Sequence, residues 1–412
     1  MVVMDDDLTP HNPAISDSAN SLDQGWTAEM VSGVSAIPAK DWDRCAGSGE
    51  PLISHAFLTA LEESGSANEA SGWAPRHLVL KDQTGKALGV LPLYLKSHSY
   101  GEYVFDHAWA DAWARAGGRY YPKVQIGIPF TPVPGRRLLV DPDLDKATAT
   151  RATAALAEAA LASANQLGFS SVHMTFLTKD EHDHLITQQQ SPWISREGMQ
   201  FHWHNRGYGD FDDFLGTLSS RKRKAIRRER RDIKDAGLGF DLLRGEDLKT
   251  HHWDAFYEFY LATIDRKWGG AYLTRGFFDH IHQTMRDHIL LVIAKHDDKA
   301  VAGAINFVGK DTLYGRNWGS VVDIPFLHFE TCYYQAISYA IANGLKKVEA
   351  GAQGLHKVQR GYEPVPTYSV HHMTDPGFHA AVKDFTAKEA RHIARERQEL
   401  IGWMPYKAAD TS

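Results

Sequence analysis

Cysteine is almost missing from this chain: Cys45 and Cys332 are the only two among 412 residues. Two thiols exclude a disulfide framework and a Cys-rich zinc site. Long apolar runs are missing too; the longest, Ile289 to Ala294, falls far short of the roughly 20 residues a membrane-spanning helix needs. The opening Met1-Val-Val-Met-Asp-Asp-Asp has neither the basic flank nor the apolar segment of a secretory signal. Together these absences predict a cytoplasmic chain without a membrane span. Residues 1–25 hold five Asp and no Lys or Arg, the composition of a solvated acidic tail.

What is present is globular in composition. Hydrophobic residues make up 43% and charged residues 23%. The length is two to three times an ordinary domain of about 150 residues, which predicts two packed units or one duplicated unit. Helical and extended periods interleave: a helix over 54–63, strands over 77–80 and 87–96, an Ala-rich helix over 146–167, and strands over 170–176 and 200–205. The fold class that follows is α/β, in the broad sense that includes α+β.

A weak internal repeat supports duplication. Gly89 precedes Tyr100-Gly101 by eleven residues, and Gly303 precedes Tyr314-Gly315 by eleven. Later, Gly168-Phe-Ser-Ser-Val after the Ala-rich helix echoes Gly344-Leu-Lys-Lys-Val after a helix over 329–342. The offsets are 214 and 176, so the first copy carries about 38 extra residues, assigned to 106–142. The expected units are 26–208 and 209–412.

Charge is distributed unevenly. Arg221 to Arg231 contains eight basic residues and one acid, a net +7 against −13 for the remainder of a chain whose total is −6. Ser219 before the segment and Gly237 after it punctuate a helix over 219–236. Leu215, Leu218, Ala225, Ile226 and Ile233 form a narrow apolar stripe to dock it. Cations in a first turn oppose the helix dipole, so the composition points to a polyanion partner rather than to stability. No aromatic interleaves the cations, which disfavours stacking on single-stranded bases.

In the second half, an amphipathic helix through Phe256, Tyr257, Tyr260 and Ile264 ends at Asp265, Arg266 and Trp268 beside Gly269-Gly270. In the strand Leu313-Tyr-Gly-Arg-Asn-Trp-Gly-Ser, alternation places Tyr314, Arg316 and Trp318 on one face and Asn317 on the other. A Gly-rich strand-to-loop path then strings together Glu349, Gln353, His356, Lys357 and Arg360. Loops at strand ends are where chemistry concentrates. A final helix over 376–404 turns Phe378, Val382, Phe385, Ile393 and Leu400 inward.

Three stretches carry a family resemblance: Leu218-Ser-Ser-Arg-Lys-Arg-Lys-Ala-Ile-Arg-Arg-Glu, the helix and turn from Phe256 to Thr274, and Glu349-Ala-Gly-Ala-Gln-Gly-Leu-His-Lys-Val-Gln-Arg-Gly-Tyr. With them the chain resembles the FemAB-like N-acyltransferases of the GNAT superfamily, relatives of the Fem peptidyltransferases of peptidoglycan cross-bridge synthesis, over about Met30 to Met404. The resemblance implies two tandem GNAT-like modules and transfer of an acyl or aminoacyl group to an amine. In Fem-type relatives the donor is aminoacyl-tRNA and the acceptor a UDP-linked muropeptide; in ordinary GNAT enzymes the donor is acetyl-CoA. The chain differs from the Fem pattern in lacking a long coiled-coil insertion.

The residues expected to do this work are Glu349 or Asp265 as proton acceptor, and Lys357 with Tyr314 or Arg360 at the developing oxyanion or the acceptor. Arg221, Lys222, Arg223, Lys224, Arg227, Arg228, Arg266, Arg316, His356 and Arg360 are expected to contact phosphate or substrate. No tightly bound cofactor and no metal are expected: the 22 His residues form no His-Glu-x-x-His and no zinc spacing. Arg44-Cys-Ala-Gly-Ser-Gly49 matches a pyrophosphate-loop expression but precedes the first helix of its unit, the wrong place for one. Cys332 reads as a buried helical thiol, and no Gly-x-Ser-x-Gly elbow occurs. The competing class is a non-catalytic RNA- or nucleotide-binding protein that uses the basic helix. A cleft lined by Glu349, Lys357 and Tyr314 would favour the enzyme, and a filled cleft the binder.

Overall fold

The computed structural model describes residues 25–265, 270–351 and 354–407. The acidic tail, Arg266, Trp268 and Gln353 lie outside the described residues. Local signals place the helices as expected. Ser54 caps the helix His55–Glu63, its hydroxyl accepting from the Phe57 N–H at 3.2 Å. Asp145 caps Lys146–Gln166 through the N–H groups of Ala147 and Thr148.

The described strands, in chain order, are β1 (Thr27–Val31), β2 (Trp73–Pro75), β3 (His77–Lys81), β4 (Ala87–Leu91), β5 (Leu93–Lys96), β6 (Lys123–Ile126), β7 (Leu139–Val140), β8 (Ser171–Leu177), β9 (Ile194–His204), β10 (Leu238–Leu243), β11 (Ile289–His296), β12 (Lys299–Val308), β13 (Thr312–Ser320), β14 (Lys347–Glu349) and β15 (Glu363–Met373). The expected strand over 87–96 is broken at Pro92, which has no N–H to give a ladder. As a result β4 stays in a four-stranded sheet, β1-β3-β4-β7, and β5 enters an eleven-stranded one. The large sheet has the order β10-β11-β12-β13-β14-β9-β15-β8-β6-β5-β2. It runs through both halves, because β15 lies between β8 and β9.

Only two of the described pairs are parallel, β6 with β8 and β13 with β14. Parallel neighbours need a crossover, usually a helix. Lys146–Gln166 serves the first pair. The second is served by a helix that runs Leu327–Phe329, widens into a π turn at Glu330–Tyr334 and continues through Gln335–Ala342. Each crossover ends on a glycine with positive φ, Gly168 at 67° and Gly344 at 65°, a conformation that penalises any Cβ. Val172 then pairs with Val124, and Val348 with Leu313. The second sequence echo is therefore a structural one.

The first echo is half right. Gly89 and Gly303 both sit on the second strand of a hairpin, opposite Leu80 and Ile293. Tyr100, however, is 60% exposed in the turn after β5, whereas Tyr314 is buried on β13. The counterpart of β13, by order and parallel pairing, is β6. The stretch 106–142 is thus not simply extra, since it contains β6 and β7 as well as the helix His107–Arg115.

The halves share a core. The helix His55–Glu63 packs on Arg275–Thr284, and Phe57 meets Phe277 and Phe307 edge-on at 5.8 and 5.3 Å. Full burial of such a ring contributes about 2 kcal/mol. The basic helix spans Ser220–Asp235 and docks through Ile226 and Ile233; Ala225, expected in that stripe, is exposed. On the terminal helix Pro376–Gly402, Phe378, Val382 and Leu400 are buried, but Phe385 is 44% exposed, its ring edge-on to Trp109 at 6.3 Å. Arg44 lies at the C-terminal end of the helix Ala39–Ala46 and bonds Asp41 and Asp141. An anion cradle needs the opposite helix end.

Candidate functional site

β14 pairs with β13 only over Thr312–Tyr314. Beyond Glu349 the chain leaves, so among the described residues Gly315–Ser320 has β12 on one side and no strand on the other. A cavity of about 400 Å³ opens at this divergence. Its walls include Tyr260, Thr263 and Ile264 from Thr250–Asp265, Arg316, Asn317 and Trp318 from β13, Cys332 and Tyr333 from the π turn, and Tyr103 from the first half. π turns inside helices recur at functional sites. Here the turn presents Cys332 half-buried on the cavity wall, where a regular buried helix was expected.

A bulge shapes this wall. Ala304 pairs with Trp318 and Asn306 with Gly315, so β13 carries one extra residue. The extra residue moves Trp318 to the face opposite Tyr314, against the simple alternation read from sequence. Trp318 lies 4.9 Å from the His328 ring, while Tyr314 belongs to the core around Phe57 and Phe307. Gly319 fixes how near the wall stands to Thr250–Asp265, because a Cβ there would sit 2.1 Å from the Phe259 carbonyl carbon.

The site residues named from sequence fall into separate groups. Lys357 is 2% exposed on the turn Leu355–Arg360, where its Nζ donates to the Gly351 carbonyl at 2.9 Å. Burial pushes its pKa down to about 8. The neighbouring His356 faces the cavity wall. Its Nε2 shares a hydrogen bond of 2.8 Å with the Tyr333 hydroxyl, and Tyr333 lines the cavity. Burial, with help from Arg360 and Lys357, lowers the His356 pKa, and burial raises that of Tyr333.

Arg360 is occupied structurally. Its guanidinium meets Glu229 at 2.9 and 3.0 Å, donates to the Tyr334 hydroxyl at 2.9 Å and covers the Phe329 ring at 3.4 Å. Glu229, the one acid among the eight cations, thus points inward and locks the basic helix to the turn that carries Lys357.

Glu349 and Tyr314 are register partners away from the cavity lining. Glu349 is 3% exposed, with the Lys347 Nζ 2.6 Å from Oε1 and the His202 Nε2 3.9 Å from Oε2. Burial raises its pKa, opposed by Lys347. The cavity is therefore open, yet its lining contains neither Glu349, Lys357 nor Tyr314. Arg316 does line it; its guanidinium donates to the Phe130 carbonyl of the first half, and burial lowers its pKa. Phe130 in turn stacks on Tyr272, another wall residue, at 4.8 Å. Asp265 ends its helix next to the wall residues Thr263 and Ile264.

No cation of the basic helix lines the cavity. Arg227 pairs with Asp212 at 2.7 Å, Arg228 with Asp232 at 3.4 Å and Arg230 with Glu330 at 3.0 Å. A groove of about 460 Å³ between this helix and β10 has two of its four cations, Arg227 and Arg230, already paired in this way. Among the described residues no cluster of three or more His, Cys, Asp or Glu is arranged to hold a metal.

Sequence reasoning did not reach Tyr103, Tyr272, Cys332 and Tyr333 as wall residues. The polar and aromatic run Glu330-Thr-Cys-Tyr-Tyr, interrupting an otherwise apolar helix, is the one signal that marked the last two.

Two helix-crossed parallel pairs in one continuous sheet, with a cavity where the second pair diverges, define a tandem GNAT-like fold. Comparison with known proteins agrees. The chain matches the FemAB-like family, described as peptidoglycan biosynthesis/recognition, over residues 33–408, and it belongs to that family. Among solved structures it is similar to FemX, with a TM-score of 0.54 and 13% identity over 84% of this chain and 98% of that one. It is also similar to the C-terminal domain of a putative lysylphosphatidylglycerol synthetase from Agrobacterium fabrum, with a TM-score of 0.52 and 10% identity over 84% and 96%. Identities this low speak for the fold alone. No curated protein sequence matches the chain.

Proposed function

We propose that the protein transfers an acyl or aminoacyl group to the amine of a cell-envelope precursor, in the cytoplasm, with 26–208 and 209–412 as its two units. The observation that carries this reading is the cavity of about 400 Å³ at the divergence of β13 and β14, whose wall residue Tyr333 bonds His356 on the turn that holds Lys357. The amine attacks the carbonyl of a thioester or ester donor, a C–N bond forms, the C–S or C–O bond breaks, and the leaving group takes up a proton. A Lys357 ammonium, buried behind the cavity wall on the turn that also carries His356, supplies positive charge toward the oxyanion. The Tyr333–His356 pair gives the amine proton a route from the cavity wall; Glu349 and Asp265 are the carboxylate alternatives.

The donor is either an acyl-CoA or an aminoacyl-tRNA, and the acceptor carries phosphate, as a UDP-linked muropeptide does. The test offers radiolabelled acetyl-CoA and radiolabelled aminoacyl-tRNA separately, each with UDP-N-acetylmuramyl pentapeptide or a panel of small amines. Product is read by mass. Label in an amide product, lost in Lys357→Met with the fold intact, supports the proposal. Binding of RNA with no transfer from either donor favours the non-catalytic reading.

A further inference from the structure

The N-terminal turn of the basic helix has a neighbour that its sequence does not suggest. Residues 405–407 run antiparallel beside 217–219. The Ser219 N–H donates to the Pro405 carbonyl at 2.8 Å, Lys407 N–H donates to the Thr217 carbonyl at 2.9 Å, and Leu218 bridges Tyr406. Two residues from this junction on one strand begins the run Arg221-Lys-Arg-Lys224; two residues away on the other stands Trp403. Trp403 is 62% exposed, and Ile401, at the end of the same helix, is 41% exposed.

The four cations form an unbroken run. Farther along, Arg227, Arg228 and Arg230 have acidic partners while Arg231 and Lys234 stand apart from one another; among the described residues Arg221, Lys222, Arg223 and Lys224 have no acidic partner. Lys407, exposed at the junction, adds a fifth charge. Glu399, one turn before Trp403, is the nearest acid in sequence on the terminal helix.

We propose that this junction is a docking surface for an anionic bilayer, with Arg221, Lys222, Arg223, Lys224 and Lys407 on the lipid phosphates and Trp403 and Ile401 in the interfacial layer. Basic residues near an anionic surface each add attraction, and Trp is at home where headgroups meet acyl chains. The pairing of exposed aliphatic and aromatic surface with unpaired cations favours a bilayer over RNA. Single-stranded RNA is held by rings placed between the cations for bases to stack on, duplexed RNA needs only the cations, and neither gives a role to the exposed Ile401. The surface lies off the cavity lining, so a docked protein keeps its cavity free. The inference does not depend on which acyl group is transferred.

The experiment is co-sedimentation of the full chain with vesicles, equal parts phosphatidylglycerol and phosphatidylcholine against phosphatidylcholine alone, at about 0.1 M salt. Binding to the anionic vesicles only is expected. It should weaken about tenfold or more when Arg221, Lys222, Arg223 and Lys224 are all changed to Gln. It should weaken ~threefold or more in Trp403→Ala/Ile401→Ala. Arg221, Lys224, Trp403 and Ile401 are exposed, and Lys222 and Arg223 are half-buried without an acidic partner among the described residues, so thermal melting of each variant should match the parent. Absence of anionic-vesicle binding overturns the proposal, as does equal binding to both vesicle types. Transfer RNA binding that needs the four cations but ignores Trp403 and Ile401, without vesicle binding, would assign the surface to nucleic acid instead.

Discussion

The contact between Glu229 and Arg360 gives the sharpest stability prediction. Two guanidinium contacts at 2.9 and 3.0 Å join the basic helix to the turn Leu355–Arg360, and the side chains are only 16% and 8% exposed. At a charge separation near 4 Å and an effective dielectric near 20, the attraction is about 4 kcal/mol. Removing one partner of a buried pair costs about 3–5 kcal/mol because the other charge stays buried. The partial exposure of Glu229 places the cost at the lower end, so Arg360→Met and Glu229→Gln should each destabilise by about 3 kcal/mol. The two losses share one cause, so the double variant should lose far less than their sum, with a coupling of about 2 kcal/mol. Urea denaturation followed by circular dichroism measures all four corners of the cycle. Additive losses below about 1 kcal/mol each, the range of a surface pair, would refute the view that Glu229 is the inward-facing lock of the helix.

Further predictions concern the site and the buried charges around it. Lys357 must be charged to stabilise an oxyanion; with its pKa pushed down to about 8, turnover should fall as pH rises through that value, and Lys357→Met should lose at least a hundredfold, about 2.7 kcal/mol of barrier. His356→Asn should reduce transfer by about tenfold or more, while Glu349→Gln leaves it nearer the parent if the proton travels by Tyr333 and His356; the reverse order would return the role to the carboxylate. Lys123 is fully buried between Glu102 at 2.8 Å and Asp106, so Lys123→Met, which strands two acids, should destabilise by about 3–5 kcal/mol in the same urea assay. Gly319→Ala forces a Cβ onto the Phe259 backbone and should lower the melting temperature by several degrees, as an overpacking cost of about 1–3 kcal/mol does.

Much of the fold was legible where local chemistry decides it. The helices over 54–63 and 146–167, the helix punctuation around 219–237 and the echo of glycines 168 and 344 all have counterparts in the fold. What sequence periodicity could not see was pairing at a distance. Nothing in Glu363–Met373 says that it lies between β8 and β9, and β6 was hidden because Lys123 and Gln125, though fully buried, read as polar. The bulge in β13 defeated the alternation rule by one residue, which was enough to turn Trp318 around. At the site, residue types were legible and partners were not. Arg360 was read as free to meet substrate because Glu229, 131 positions earlier, could not be paired with it from sequence. Cys332 was read as buried because the run Glu330-Thr-Cys-Tyr-Tyr, though polar and aromatic, does not by itself specify a π turn.

Cys332 also supplies the most direct test of where the chemistry occurs. Cys45 is 0% exposed and Cys332 lines the cavity, so a maleimide should label one thiol per chain. The measurement is the labelling rate of Cys332 with and without the donor or acceptor that supports turnover. If acyl transfer takes place at the divergence of β13 and β14, that substrate should slow labelling about fivefold or more by mass action at concentrations well above its Kd. Labelling that proceeds at an unchanged rate beside a saturating, productive substrate would contradict it.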